Sequence, residues 1–248
     1  MRLYGLIGYP LEHSFSERYF TEKFIREGLL DCSFKTFPIP SLQQFPHLLK
    51  ANPSLKGLSV TIPYKEQVLQ YVSQLSNEVK VIGATNSLRI SNNILIAYNT
   101  DIAGFEKSFI QFLKPHHTKA LVLGTGGASK AVQFVLKKLN IVFLLVSRSG
   151  SFKNNIINYS MLSKDIMNEY SVIINCTPVG MWPEVNECPG IPYNLVTPNH
   201  YFFDLIYKPA KTLFLLKGEE KGATIKNGYD MLIIQAEESW KLWNANSN

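Results

Sequence analysis

Ala120-Leu121-Val122-Leu123-Gly124-Thr125-Gly126-Gly127-Ala128 is the stretch that decides the architecture. Four apolar residues in a row read as a compact strand of the buried type. The residues after the glycines, Ser129–Leu139, read as a helix, and Ile141–Val146 reads as the next strand. A strand that turns through glycine into a helix is the opening of a parallel α/β unit. Small loop residues let a backbone approach a pyrophosphate closely. The helix start that follows offers free N–H groups and the positive end of its dipole. The form here is G-x-G-G-A rather than the longer G-x-G-x-x-G, so two readings stand. Gly124, Thr125, Gly126, Gly127 and Ala128 are either a phosphate cradle or a plain tight turn, and their place between strand and helix favours the cradle.

The end of the following strand selects the cofactor. A site for NAD carries Asp or Glu about 20 residues past the glycines, where it binds the ribose 2′-hydroxyl. This chain has Ser147-Arg148-Ser149 there instead. A carboxylate would repel a 2′-phosphate, whereas a guanidinium attracts it and can stack on adenine. The two serines can donate hydrogen bonds. NADP(H) over NAD is therefore the expectation, with an ordinary surface arginine as the other reading of Arg148. Lys153 reads as a solvated surface lysine.

Working outward, short β-rich runs alternate with amphipathic stretches along the whole chain. Upstream, strands are expected at Arg2–Gly8, Cys32–Pro38 and Gly57–Thr61, and a hairpin at Ser87–Ile90 and Ile94–Tyr98. A helix is expected from about Ser14, where Ser14-Phe15-Ser16-Glu17 reads as a capping box and Phe20, Phe24, Ile25 and Leu29 supply an apolar face. Lys114-Pro115-His116-His117 reads as a turn or linker. Downstream, strands are expected at Ser171–Asn175 and Tyr201–Leu205, and a last helix at about Met231–Trp243 followed by a fraying polar tail.

Bulk composition excludes more than it identifies. The chain has 248 residues, 46% hydrophobic and 18% charged, with a formal net charge of +6. This is ordinary for a globular protein of one large or two modest domains. No apolar run approaches the roughly 18 residues of a membrane span. Met1–Gly5 has no secretory-signal pattern, so a cytoplasmic location is the default. Cys32, Cys176 and Cys188 match no zinc spacing and are odd in number, and no His-Glu-x-x-His occurs, so neither a metal nor a disulfide framework is expected. Lysines are scattered, with no basic and aromatic run for nucleic acid.

Polar residues gather at the ends of the N-terminal strands: Ser14 and Ser16, Ser59–Lys65, Gly83–Ser87, and Asn99-Thr100-Asp101. Strand carboxyl ends are where parallel α/β sheets bind ligands. Hydroxyls and amides there suit a small polyhydroxylated molecule, and a lysine paired with a carboxylate suits proton transfer.

These groups carry a resemblance over nearly the full length. Gly8-Tyr9-Pro10…His13-Ser14-Phe15-Ser16 is similar to the G-x-P…H-S-x-S of shikimate dehydrogenases, and Ser59–Lys65 is similar to their N-V-T-x-P-x-K. Gly83-Ala84-Thr85-Asn86 and Asn99-Thr100-Asp101…Gly104 resemble G-A-x-N and N-T-D-x-x-G. Asn175-Cys176-Thr177-Pro178-Val179-Gly180-Met181 resembles N-x-T-P-x-G-M. Asp204-Leu205-Ile206-Tyr207-Lys208-Pro209 and Gly228…Met231…Gln235-Ala236 also fit. Each motif is short, and their shared order and spacing is what makes the resemblance specific.

The resemblance implies an α/β chain of two domains facing a cleft. An open, mainly parallel substrate domain would comprise residues 1–103 and be rejoined by the helix 231–248. A Rossmann-like NADP-binding domain would comprise 104–230. It implies reversible, NADPH-dependent reduction of 3-dehydroshikimate to shikimate, without a metal, by a monomer or homodimer. Ser14 and Ser16 would hold the substrate carboxylate, with Tyr207 nearby. Thr61, Asn86, Asp101 and Gln235 would hold ring hydroxyls, and Lys65 and Asp101 would be the catalytic pair. Gly228 and Met231 would border the nicotinamide, with Thr177 and Met181 close by.

Each residue also has a plainer reading. Ser14 and Asp101 can cap helices, Asn86 can occupy a left-handed turn, Tyr207 and Met231 can be core, and His13 reads as structural. Gln235 in an apolar helix start needs a polar partner. The chain departs from the family pattern at Ser59 (Asn), at Glu17 (Pro), at Tyr19-Phe20-Thr21 in place of the usual His-Asn, at Ala97-Tyr98 where a Gly is usual, and at Ser147-Arg148-Ser149 (N-R-T). Tyr19 and Lys23 mimic the Tyr-x-x-x-Lys of short-chain dehydrogenases, but they precede the glycine loop and read as neighbours on one helix face. The rival functions are a quinate/shikimate dehydrogenase with looser cofactor choice, a folate dehydrogenase of similar plan, and a non-catalytic dinucleotide sensor.

Overall fold

The computed structural model describes residues 1–11, 15–92, 94–149 and 155–245. In chain order the N-terminal elements are β1 (Arg2–Gly8), α1 (Phe15–Arg26), β2 (Cys32–Pro38), α2 (Phe45–Ala51), β3 (Leu55–Val60), β4 (Gln74–Leu75), α3 (Asn77–Ile82), β5 (Ser87–Ser91) and β6 (Ile94–Tyr98). There follow α4 (Asp101–Phe109), β7 (Lys119–Leu123), α5 (Gly127–Lys138), β8 (Val142–Ser147), β9 (Ile156–Asn158), α6 (Lys164–Glu169), β10 (Val172–Asn175), β11 (Tyr201–Asp204), α7 (Leu213–Glu219), β12 (Thr224–Lys226) and α8 (Tyr229–Trp243). Contacts divide the chain into two compact units, Met1–Thr100 with Ala236–Asn248, and Asp101–Gln235.

The first unit is built on a six-stranded sheet of order β2-β1-β3-β5-β6-β4. β1 runs parallel to β2 and β3, while β5 is antiparallel to both β3 and β6. One apolar cluster gathers Ile7, Phe45, Leu58, Val68, Val79 and Leu88. Another packs Tyr4, Phe20, Phe24 and Phe34 with Trp243 from the end of α8. There the indole lies so close to Gly57 that a Cβ would fall 2.3 Å from its Cγ, so β3 can meet α8 because residue 57 has no side chain. Beside this cluster, Lys23 is 4% exposed and its ammonium meets Glu27 at 2.8 Å and Glu237 at 2.9 Å. The Tyr19 hydroxyl donates to the same Glu237. Tyr19 and Lys23 are thus neighbours on one face of α1, both directed at α8.

The second unit is a fully parallel six-stranded sheet of order β12-β11-β10-β7-β8-β9. Numbered within the unit, this is the 3-2-1-4-5-6 order of a Rossmann fold, with the strand order reversing between β7 and β10. Ala120–Leu123 are 0% exposed, as a run covered on both faces requires. The chain is therefore α/β, with one mainly parallel and one Rossmann-type sheet.

β1 and β2 have the expected bounds, and the other expected strands are present within two residues. The helix expected to start at Ser129 starts at Gly127, because Gly126, with φ −73° and ψ 179°, turns the chain directly into it. Lys65 stands in a turn before a 3-10 segment at Gln67–Tyr71. The short elements β4, β9, β12, α2, α3, α6 and α7 span too few residues to display a period.

Candidate active site

In the first unit, candidate residues meet at the ends of β1 and β3. Gly8 ends β1 against Thr61, and a Cβ on it would lie 2.4 Å from Thr61 Cγ2. The Thr61 N–H donates to Ile7 O at 3.0 Å and the Tyr9 N–H to Ile62 O at 3.1 Å, which locks the two strand exits together. Tyr64, 3% exposed, donates its hydroxyl to Ile39 O at 2.5 Å and roots the turn in the core. Lys65, next in sequence, is half-buried and accepts at its carbonyl from Thr85 N–H at 2.8 Å. Asn86 O accepts from Val60 N–H at 2.8 Å. The turns carrying Thr61, Lys65 and Asn86 are thus stitched into one backbone surface. Ser59 is buried and pairs across strands with Ser87. Ser16 lies half-buried in the first turn of α1. Ser14 and His13 lie outside the described residues, as does Lys153 in the second unit.

The Asn86 amide, 4% exposed, is turned toward Thr100. Its Oδ1 accepts from Thr100 N–H at 2.7 Å and its Nδ2 donates to Thr100 Oγ1 at 3.0 Å. Thr100 Oγ1 also lies 3.0 Å from Ser239 Oγ on α8. Asn99 Nδ2 donates to Ala84 O at 3.0 Å. The loop leading into Asp101 is therefore held by the Asn86 side chain and the Ala84 carbonyl of the G-A-x-N segment.

In the second unit, Asp101 is 7% exposed and is the first residue of α4, where a carboxylate suits the helix dipole. Gly104, one turn on, lets α4 press against α8: a Cβ there would lie 2.6 Å from Met231 O and 3.2 Å from Gln235 Cβ. Met231 is 7% exposed, and half-buried Gln235 donates to Leu232 O at 2.9 Å within its own helix. Gly228 is buried, with a would-be Cβ 2.1 Å from Leu205 O, and its N–H donates to Ile206 O at 3.1 Å. Tyr207 follows on that same loop, half-buried.

The glycine loop leaves β7 at the strand-order reversal, where open parallel sheets bind ligands. Gly124 has φ +100°, and a Cβ there would lie 3.0 Å from Thr177 Cγ2. A Cβ at Gly126 would meet nothing within 4 Å, so the helix N-terminus opens onto free space. That open space beside the start of α5, which no side chain caps, is where a helix N-terminus could take a pyrophosphate. At the end of β8, Arg148 and Ser149 are exposed and Ser147 Oγ lies 3.4 Å from Ser149 Oγ. Asn158 Nδ2 donates to Arg148 O at 2.6 Å. Thr177 is half-buried, whereas Met181 is 45% exposed.

Comparison with known proteins identifies the family. Residues 6–88 match the family described as the shikimate dehydrogenase substrate-binding domain. A shikimate dehydrogenase (NADP(+)) of Methanococcus aeolicus is 35% identical over 98% of this chain and 91% of its own. The chain belongs to the shikimate dehydrogenase family. A chorismate mutase/shikimate 5-dehydrogenase fusion protein from Clostridium acetobutylicum, 33% identical, superposes with a TM-score of 0.87 over 100% of this chain and 93% of that one. Shikimate 5-dehydrogenase from Thermus thermophilus, solved in complex with NADP(H) and shikimate, is 27% identical. Its TM-score is 0.86 over 98% of this chain and 94% of that one.

Several polar residues of this family member were given no role from sequence. Asn175, Asp204 and Thr212 are each 0% exposed and joined by hydrogen bonds at the ends of β10 and β11. Asn158 and Ser239 anchor loops, as described above. The usable signal was a polar residue closing an apolar strand, as in Ile173-Ile174-Asn175 and Phe202-Phe203-Asp204. Among the described residues, no group of three or more His, Cys, Asp or Glu is placed to hold a metal ion, and no helix is long and apolar enough to cross a membrane.

Proposed function

We propose that this protein reduces 3-dehydroshikimate reversibly to shikimate with NADPH, using Lys65 as general acid and base and Asp101 as its partner carboxylate. The observation that carries the reading is the set of stitched turns bearing Thr61, Lys65 and Asn86, in a chain whose other unit opens a glycine loop at a Rossmann switch point. Residues 1–103 with 231–248 would bind the substrate, and 104–230 the cofactor. Gly124, Thr125, Gly126, Gly127 and Ala128 would cradle the pyrophosphate, and Ser147, Arg148 and Ser149 the 2′-phosphate. Thr177, Met181, Gly228 and Met231 would border the nicotinamide. Bound NADPH would supply the hydride.

The chain's own residues do the rest. As the ring carbonyl is reduced, its oxygen gains negative charge. The Lys65 ammonium stabilises that charge and donates the proton. Asp101 orients a ring hydroxyl. Ser14, Ser16 and Tyr207 bind the carboxylate, and Thr61, Asn86 and Gln235 the hydroxyls. The reverse reaction uses Lys65 as base.

The free thiols of Cys32, Cys176 and Cys188 suit a reducing cytoplasm, and the reading extends to a monomer or homodimer working there. A spectrophotometric assay of NADP reduction by shikimate tests the function, and Lys65→Ala tests the role. That variant should stay folded and lose roughly 10²–10⁴-fold in kcat. Near-normal turnover would refute the assignment. Running quinate beside shikimate separates the quinate-using alternative.

A further inference from the structure

We propose that Asp204 is a positioning residue, whose buried carboxylate ties the turn after β10 to the loop after β11 and so sets the edges of the nicotinamide end of the cofactor site. The proposal rests on the function above.

The carboxylate is 0% exposed and has three donors. Asn175 Nδ2 and Ile206 N–H donate to Oδ1 at 3.1 and 3.0 Å, and Thr212 Oγ1 donates to Oδ2 at 2.5 Å. Two of the donors lead on to pieces of the candidate site, and the third caps α7. Asn175 Oδ1 accepts from Thr177 N–H at 3.0 Å and from Thr177 Oγ1 at 2.6 Å. Thr177 Oγ1 in turn accepts from Val179 N–H at 3.3 Å, which completes the turn leading to Met181. Ile206 opens the loop that carries Tyr207 and accepts at its carbonyl from Gly228 N–H at 3.1 Å. Thr212 caps α7 by accepting from Leu215 N–H at 3.4 Å. Thr177 and Gly228 are therefore fastened within two links to a single carboxylate that itself touches none of the surface, and Met181 and Tyr207 lie on the chain segments that those links hold.

A fully buried acid is a costly way to hold loops together. Burial pushes the Asp204 carboxyl up to about 7 even with its three donors, since all of them stabilise the charged form. An apolar residue would pack there at less cost but could not bind three donors at once. What the carboxylate adds is geometry: the turn after β10 and both ends of the loop after β11 are fixed at one point, at the strand ends where the fold binds its ligand.

The test compares Asp204→Ala, Asp204→Asn and Thr212→Val in the full chain. Near-ultraviolet circular dichroism establishes folding, and the assay runs below each variant's melting range. The Asn amide preserves the geometry, since its oxygen accepts from Asn175 and Ile206 and its N–H can donate to Thr212. It should stay within about threefold of wild type in kcat. Asp204→Ala should lose roughly ten- to hundredfold in kcat, the scale of a small misplacement of reacting groups. Its affinity for 2′,5′-ADP, which reaches the adenosine end alone, should stay within about twofold of wild type. Thr212→Val cuts one link and should lose roughly three- to tenfold; it decides the matter if Asp204→Ala does not fold. Full turnover in folded Ala and Val variants overturns the proposal. So does a loss of turnover matched by an equal loss of 2′,5′-ADP sites, which marks a merely structural role. If wild type itself does not reduce NADP with shikimate, the functional reading fails and takes this proposal with it. Wild-type activity beside full activity in the variants leaves that reading intact.

Discussion

Asn86 and Thr100 hold each other reciprocally: the Thr100 N–H donates to Asn86 Oδ1 at 2.7 Å, and Asn86 Nδ2 donates to Thr100 Oγ1 at 3.0 Å. Both side chains are buried, and the next residue in the chain is Asp101. Asn86→Ala leaves the buried Thr100 N–H without its acceptor. We expect a loss of about 1–3 kcal/mol in urea unfolding, with kcat/KM for shikimate falling as well. Thr100→Ser keeps both hydrogen bonds and should behave like wild type in both measurements. A Thr100→Ser variant as damaged as Asn86→Ala would show that the pair is not what matters.

Lys23 and Glu237 join α1 to the end of α8. The Lys23 side chain is 5% exposed and that of Glu237 32%, so the cost of breaking the pair is unequal from its two sides. Glu237→Ala leaves a buried ammonium with Glu27 as its remaining carboxylate. We expect a loss of about 1–3 kcal/mol, below the full cost of orphaning a buried charge because Glu27 persists. Lys23→Met removes the charge and keeps the apolar stem, while Glu237 retains the Tyr19 hydroxyl and access to water. It should cost less than Glu237→Ala. Urea midpoints at constant m-value check the order, and a reversed order would count against an ion pair buried mainly on the lysine side.

These two relationships show where sequence reading stops. The Rossmann-type half was legible because its strands are unbroken apolar runs, such as Ala120–Leu123, and because glycine and serine mark its turns. The motifs around Lys65 and Asp101 were legible as a series of polar clusters with shared spacing. Long-range polar partners were not: nothing in Glu237 announces Lys23, which lies 214 positions away. Asp204 is a similar case. Sequence places an acid after Tyr201-Phe202-Phe203, but that the acid is buried with three donors follows from packing. Tyr19 and Lys23, which imitate another enzyme class at helical spacing, are committed to holding α8.

His117 gives a pH dependence with a definite sign. Its Nδ1 accepts from Lys114 N–H at 3.0 Å, so the neutral ring carries its proton on Nε2, 3.2 Å from Asn199 O. Burial, ahead of its neighbours His116, Lys114 and His200, lowers its pKa to about 4. An unfolded histidine titrates near 6.5. Between these values the unfolded chain binds the extra proton, so stability is full above about 6.5 and falls as pH drops toward 4. His117→Gln can keep an acceptor for Lys114 and has no such titration. The difference in unfolding free energy between wild type and His117→Gln should shrink or reverse as pH falls from 7 to 4. A difference constant across that range would contradict the assignment.

The glycine loop separates folding from binding at two neighbouring positions. Gly124 has φ +100° and lies against Thr177, with a would-be Cβ 3.0 Å from Thr177 Cγ2. Alanine there meets both an unfavourable backbone conformation and a close contact. Gly126 has φ −73°, which any residue adopts, and its Cβ would meet nothing within 4 Å. Gly124→Ala should therefore lower the melting temperature by several degrees, corresponding to about 1 kcal/mol or more. Gly126→Ala should melt as wild type does. The space its methyl group fills is the approach to the α5 amides, so NADPH affinity should fall roughly tenfold, read by fluorescence titration. If Gly126→Ala bound NADPH normally, the phosphate would have to lie away from this loop; if Gly124→Ala were fully stable, the contact with Thr177 would be looser than the geometry requires.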